Sequence, residues 1–449
     1  MRPWLPAVLL AAIVGHGARA RASSPALEAY DVAPTDAALA GISSGGFMAV
    51  QLQVADSATF TRGVAVFAGG PFDCSQGSAA AALGTCGQAY PSAPSAAALE
   101  AITDAWAQSG ELDPTSNLAG MPVWLWSGTL DSVVRQPVMD ALAAYERHYG
   151  AQVTYAHTTA AGHAWISPLG PNACAVQLSP YVNDCGIDPE QQFLTLFWGP
   201  LQPETQGAPS GQVLAFDQRE FLADHDAAAH SLDATGYVFV PADCAQGSPC
   251  HLLVALHGCD QSHGQVGQAF IQDSGLLGWA DANRIVVLFP QAAASAFNAQ
   301  GCWDWWGYDD PNFAKKSGRQ VQAIAGMVAR VTSGFAPTGA GASSGSSSGS
   351  STSGAAGSAG STGSGASSGS SAGSSTSGAA GSTGAGASSG SSASGAGSTQ
   401  GAGSGAAAAG SSGSAGARAG GCEGGGPGPA PLALLAALGL AARRERRGR

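Results

Sequence analysis

Ser43 stands at the centre of Gly41-Ile42-Ser43-Ser44-Gly45, a G-x-S-x-G box. A serine hydroxyl attacks a carbonyl well only when a base takes its proton and fixed N–H donors receive the charge that develops on the carbonyl oxygen. The box is built for that task. Asp36 to Ala40 enters it as a strand and Phe47-Met48-Ala49-Val50-Gln51-Leu52 leaves it as an apolar helix, so Ser43 falls on a sharp strand-to-helix turn that needs small neighbours at Gly41 and Gly45. The base and its orienting acid are sought at other strand ends. Trp124-Leu125-Trp126 runs into Ser127-Gly128-Thr129-Leu130-Asp131, and Gln152 to Ala156 opens into Gly162-His163. Ser43, Asp131 and His163 therefore each follow a predicted strand, in the order nucleophile, acid, base. His157 is the rival base, although strand alternation makes it a simple continuation of its strand. Asp140 is the rival acid, although it falls on a helix. A fourth strand, His251 to Leu256, ends in His257-Gly258-Cys259, so the backbone N–H groups of Ser44 and Cys259 are the candidate oxyanion donors.

The elements that must hold these residues alternate between strand and helix. Short apolar runs at 62–68, 121–126, 152–156, 236–241, 251–256 and 284–290 are separated by helical spacing at 96–109 and 138–149, with further helices at 191–198 and 320–331. That alternation predicts an α/β fold with a mostly parallel central sheet, whose functional residues gather at the carboxyl ends of strands. The chain order is unusual for such a sheet. The strand leading to the oxyanion loop follows the nucleophile by more than 200 residues instead of preceding it, and helix 320–331 resembles the one that ordinarily leads into the nucleophile strand. A circularly permuted α/β-hydrolase reconciles the two facts.

Composition divides the 449 residues further. Residues 1–22 carry an early arginine, an apolar core and a small-residue ending, and are expected to be a secretory signal peptide. The catalytic domain is expected at 23–335. Residues 336–421 are almost wholly Gly, Ser, Ala and Thr, a composition that buries too little apolar surface to order itself, and are expected to be a disordered linker. Residues 23–335 hold nine Lys or Arg against 28 Asp or Glu, a balance of −19 that disfavours nucleic acid and anionic membranes as partners. Eight cysteines lie in this region, an even number that suits disulfides in an exported protein. Sequence neighbours suggest Cys74 with Cys86, Cys174 with Cys185, Cys244 with Cys250, and Cys259 with Cys302, although proximity alone leaves the connectivity open. No C-x-x-C pair or histidine cluster favours a metal site.

Together with Gly301-Cys302-Trp303-Asp304-Trp305-Trp306-Gly307-Tyr308, these motifs resemble the extracellular short-chain-length polyhydroxyalkanoate depolymerases, the poly(3-hydroxybutyrate) depolymerase family, over about residues 25–332. The resemblance implies a secreted serine esterase with Ser43, Asp131 and His163 as triad, Ser44 and Cys259 as oxyanion donors, and Trp303, Trp305 and Trp306 at the substrate cleft. It implies no metal or organic cofactor, a polyester or oligoester partner, and a monomeric catalytic domain. A feruloyl or acetylxylan esterase is the alternative, since both would use the same triad; a non-catalytic surface-binding protein is the remote one. The C-terminal segment 422–449 departs from the family's usual polymer-binding domain. Cys422, an apolar run from Leu432 to Ala442 and an arginine cluster resemble a MYXO-CTERM-type sorting signal, which implies a cell-surface anchor made by sorting machinery. A linker of some 85 residues would give the enzyme a reach of about 50 Å.

Overall fold

A computed structural model describes residues 24–335. The expected signal peptide, the linker, the segment 422–449 and Cys422 lie outside the described residues. In chain order the strands are β1 (Val32–Ile42), β2 (Val64–Phe67), β3 (Pro122–Trp126), β4 (Gln152–Ala156), the short β5 (Trp165–Ile166), β6 (Asn172–Ala173) and β7 (Val182–Asp184), then β8 (Gln212–Asp217), β9 (Thr235–Val240), β10 (Cys250–Leu256) and β11 (Ile285–Phe289). Among the described residues six helices reach eight residues or more: α1 (Ser44–Ala55), α2 (Ala96–Gln108), α3 (Gln136–His148), α4 (Pro189–Trp198), α5 (Leu276–Asn283) and α6 (Arg319–Val331).

Eight strands form one sheet in the order β4-β3-β2-β1-β10-β11-β9-β8. The run from β4 to β11 is parallel, and β9 and β8 join it antiparallel. The first strand among the described residues thus lies in the middle of the sheet, with its neighbour β10 arriving more than 200 residues later. Strands buried on both faces need apolar residues at every position, which is why β1, β2 and β10 read as near-continuous hydrophobic runs. Alternation then divides those side chains between two cores. Leu39, Val64, Val66, Val123, Leu125, Leu252 and Val254 face one cluster, with residues of α1, α3 and α6. Ala38, Ala40, Ala65, Phe67, Trp124, Leu253 and Ala255 face the other, with residues of α4 and α5. The two ends of the described chain meet, since Tyr30 N–H donates to the carbonyl of Val331 at 2.8 Å.

The expected helices and strands are present, most ends displaced by one or two residues and those of the two elements flanking Ser43 by two to four. Three features were not anticipated: the small parallel sheet β5-β7-β6, the strand β8, and α5. The four disulfides join the suggested neighbours: Cys74–Cys86, Cys174–Cys185, Cys244–Cys250 and Cys259–Cys302. Such bonds persist in an oxidising compartment, as expected of an exported protein.

Candidate active site

The turn at Ser43 has φ 55° and ψ −123°, a left-handed geometry that a side-chain-bearing residue adopts only when its surroundings impose it, at a cost of about 1–3 kcal/mol. Two glycines make the turn possible. A Cβ on Gly41 would lie 2.1 Å from the carbonyl oxygen of Gly45, and one on Gly45 would lie 2.3 Å from that of Leu256 and 2.4 Å from that of His257. The second pair of contacts shows that the start of α1 is pressed directly against the end of β10. Ser44 opens α1, where backbone N–H groups have no acceptor within the helix. The loop after β10 abuts the same serine: a Cβ on Gly258 would come within 3.2 Å of Ser43 Cβ.

Along the carboxyl edge of the sheet, Ser43 N–H donates to Phe67 O, Ala68 N–H to Trp126 O, and Ser127 N–H to Ala156 O, so the loops after β1, β2, β3 and β4 are tied together in sequence. On the last two lie Asp131 and His163. His163 Nδ1 donates to Asp131 Oδ2 at 2.8 Å. Because the acceptor is a carboxylate, this bond fixes the proton on Nδ1 and leaves Nε2 to act as a base. Asp131 Oδ1 accepts the backbone N–H groups of Val133 and Val134 at 2.8 and 2.9 Å, which fixes the carboxylate in turn. The Asp131 side chain is fully buried and that of His163 is 11 % exposed. The rivals lie elsewhere: His157 is exposed and tilts over Tyr155, while Asp140 is exposed on α3 and accepts the Tyr155 hydroxyl.

His257 is a neutral structural residue. Its Nδ1 donates to Gly258 O at 2.7 Å and its Nε2 accepts the Ala292 N–H at 3.1 Å, while burial pushes its pKa down to about 4. The Cys259–Cys302 disulfide ties the loop to the tryptophan segment. Trp303 requires a correction. It is fully buried, and its indole N–H donates to His257 O at 3.0 Å, so it supports the loop from inside the core and does not line a cleft. A large apolar ring with one donor satisfies both needs at once when placed beneath a loop carbonyl. Trp305 and Trp306 are half-buried. Trp305 stacks on Phe47 of α1, with ring centroids 4.0 Å apart, and Trp306 meets it edge-on.

Asp304 had no assigned role in the sequence. Its carboxylate accepts four backbone N–H groups, from Gly307 and Tyr308 on one oxygen and Asp309 and Asp310 on the other, and so shapes the tryptophan loop. Burial pushes its pKa up to about 6 against those four bonds. Gln261 was also missed. The sole sequence signal for it is a polar residue two places after the proposed donor Cys259.

A nucleophile elbow at the centre of a mostly parallel, helix-covered sheet, with an acid–histidine pair on neighbouring strand ends, defines the α/β-hydrolase class. No family model matches the chain. It is 36 % identical over 345 residues to a polyhydroxybutyrate depolymerase of Talaromyces funiculosus, covering 73 % of this chain and 98 % of that protein. It is 44 % identical over 317 residues to a poly(3-hydroxybutyrate) depolymerase of Delftia acidovorans, covering 70 % of this chain and 63 % of that protein, so it spans under two thirds of that relative's length. Two solved structures match with TM-score 0.63 and 35 % identity, each over 69 % of this chain and 100 % of the other: a PHB depolymerase from Penicillium funiculosum, and a serine-to-alanine PHB depolymerase variant complexed with R3HB trimer. The chain belongs to the polyhydroxybutyrate depolymerase family.

Proposed function

We propose that this chain is a secreted serine esterase that cleaves short-chain poly(3-hydroxyalkanoate), poly(3-hydroxybutyrate) above all, to oligomers and monomers. The observation that carries the reading is the match of 69 % of this chain to the whole of the depolymerase solved with R3HB trimer. Ser43 Oγ attacks the ester carbonyl while its proton passes to His163 Nε2, and the tetrahedral oxyanion is held by the N–H groups of Ser44 and Cys259. Collapse of this intermediate breaks the ester C–O bond. His163 returns the proton to the departing 3-hydroxyl of the polymer, and water then releases the acyl group from Ser43 by the same steps in reverse. The buried Asp131 carboxylate stabilises the imidazolium that forms in both halves.

Several features support action on a neutral apolar polymer. Leu130 and Val133 flank Asp131 and are 50 % and 42 % exposed, and Leu178 is 60 % exposed beside Gln177, which accepts from Ser132. Apolar side chains clustered at one end of a sheet suit contact with a solid of the same character. The strand order, with Tyr30 bonded to Val331 near the ends of the described residues, supports reading the sheet as circularly permuted, the segment 199–211 between α4 and β8 then standing where separate termini would otherwise be. In this reading residues 1–22 are removed on export, a monomeric domain at 23–335 does the chemistry, and 336–421 tethers it through Cys422 to the cell surface by sorting machinery.

The test compares the whole chain with Ser43→Ala on p-nitrophenyl butyrate, 3-hydroxybutyrate oligomers, amorphous granules, methyl ferulate and acetylated xylan. The expected result is 3-hydroxybutyrate release by the parent and its loss in Ser43→Ala, by about 10⁴-fold or more. Equal rates in the two would remove the assignment at this serine. Release of ferulate or acetate without 3-hydroxybutyrate products would instead indicate a plant-polysaccharide esterase.

A further inference from the structure

We infer that Gln261 is a positioning residue that sets the distance between the oxyanion loop and the loop bearing the catalytic histidine; this rests on the serine-esterase reading above. Its side chain is buried, the whole residue being 1 % exposed, and it uses every polar atom it has. Oε1 accepts the Gly258 N–H at 2.8 Å, and Nε2 donates to Pro180 O and to Tyr181 O, each at 3.0 Å. The amide orientation follows from chemistry: a backbone N–H only donates and the two carbonyls only accept, so the reversed amide would break all three bonds.

The two sides of this bridge carry different parts of the machinery. Gly258 precedes Cys259, whose N–H is the proposed loop donor, and its backbone lies against Ser43. Tyr181 O also accepts the Trp165 N–H at 2.9 Å, which pairs β7 with β5 two residues beyond His163. The remainder of that small sheet is tied in the same way. Gly162 N–H donates to Cys174 O, and Asn183 Nδ2 donates to Cys174 O and Val176 O. One buried amide therefore spans about 80 residues of sequence and joins the element holding the base to the element holding the oxyanion donor.

Backbone geometry makes such a brace necessary. Ser43, Asp260 and Tyr181 all have left-handed φ, at 55°, 57° and 59°, one on each of the three loops that converge here. Loops held in such conformations relax unless their surroundings over-determine them. Proton transfer to His163 and charge development at the Cys259 N–H occur in one transition state, so an error in the spacing between them affects that state more than bound substrate.

The experiment uses the whole chain with Gln261→Leu, which removes all three bonds, and Gln261→Glu, which preserves volume and the acceptor but loses both donors. Turnover of p-nitrophenyl butyrate and inhibition by butylboronic acid, a mimic of the tetrahedral oxyanion, are read together. We expect kcat to fall about 30- to 100-fold in Gln261→Leu, with KM within about twofold, and boronate affinity to weaken by a similar factor. Gln261→Glu is expected to match that loss near pH 8. Its rate relative to the parent should recover several-fold towards pH 5.5, because a protonated carboxyl regains one donor for a carbonyl. If the leucine variant does not fold, the glutamate variant's pH-dependent recovery decides. A folded variant within about twofold of the parent, or a loss confined to KM with unchanged boronate affinity, overturns the inference. An inactive parent indistinguishable from Ser43→Ala would instead refute the esterase reading.

Discussion

Gly45→Ala sets helix propensity against close packing at the elbow. In an exposed helix the change would stabilise by up to about 1 kcal/mol. Here the new Cβ would lie 2.3 Å from Leu256 O and 2.4 Å from His257 O, and ordinary contact begins at 3.4 Å, so α1 and β10 must separate by about 1 Å. Both obstacles are backbone at the centre of the sheet, with no side chain free to swing aside. Overpacking of this kind costs about 1–3 kcal/mol and outweighs the propensity gain. A net loss near 2 kcal/mol lowers Tm by about 3 °C in a domain of this size. The same 1 Å separates Ser43 and the first N–H groups of α1 from the Gly258–Cys259 loop. Misplacement on that scale costs about 100-fold in rate. The assay is kcat on p-nitrophenyl butyrate with a thermal melt, against Gly264→Ala as control, an exposed helical position where a new Cβ meets only Ser262 Oγ at 3.8 Å, so kcat should not move and Tm should hold or rise. Wild-type kcat and Tm in Gly45→Ala would refute the argument that the α1–β10 contact sets the oxyanion geometry.

Two further predictions concern stability. Glu146 is fully buried on α3 and accepts from Gln53, and burial pushes its pKa from the ordinary 4.5 up to about 7. Below pH 4.5 both folded and unfolded chains hold the proton; as pH rises towards 7 only the unfolded chain releases it, so stability is lost across that window, by about 3 kcal/mol at most. Glu146→Gln should therefore melt higher than the parent near pH 8 and with it near pH 4, and the same difference at both pH values would show that desolvation of this carboxylate is not the cause. The Cys259–Cys302 bond spans 43 residues of sequence, so Cys259→Ser/Cys302→Ser should lower the unfolding free energy by about 4 kcal/mol in denaturant titrations, while a loss under 1 kcal/mol would mean the loop is already held by the bonds of His257 and Asn298.

What the sequence determined by itself was local chemistry and its order. Gly41 and Gly45 around Ser43 announce a turn only small residues permit, and two-sided burial writes β2 and β11 as unbroken apolar runs and β1 and β10 as nearly continuous ones. Asp131 and His163 were legible because a parallel sheet brings the ends of its strands to one edge, whatever the intervening length. The cysteine pairs were legible because three of the four close short loops. The strands of β5, β6 and β7 are two or three residues long, too short for any period to show, and they form only because Asn183, Gly162 and Trp165 find backbone partners around them. Among three tryptophans in four positions, local sequence carries no sign of which one enters the core; Trp303 does so because His257 O, 46 residues away, accepts its N–H. Gln261 is an ordinary polar residue in a turn until the fold delivers Pro180 and Tyr181 to its amide. Periodicity and backbone sterics act over a few residues and can be read along the chain, whereas a buried donor's partner is chosen by packing across the whole domain and exists only once the sheet has formed.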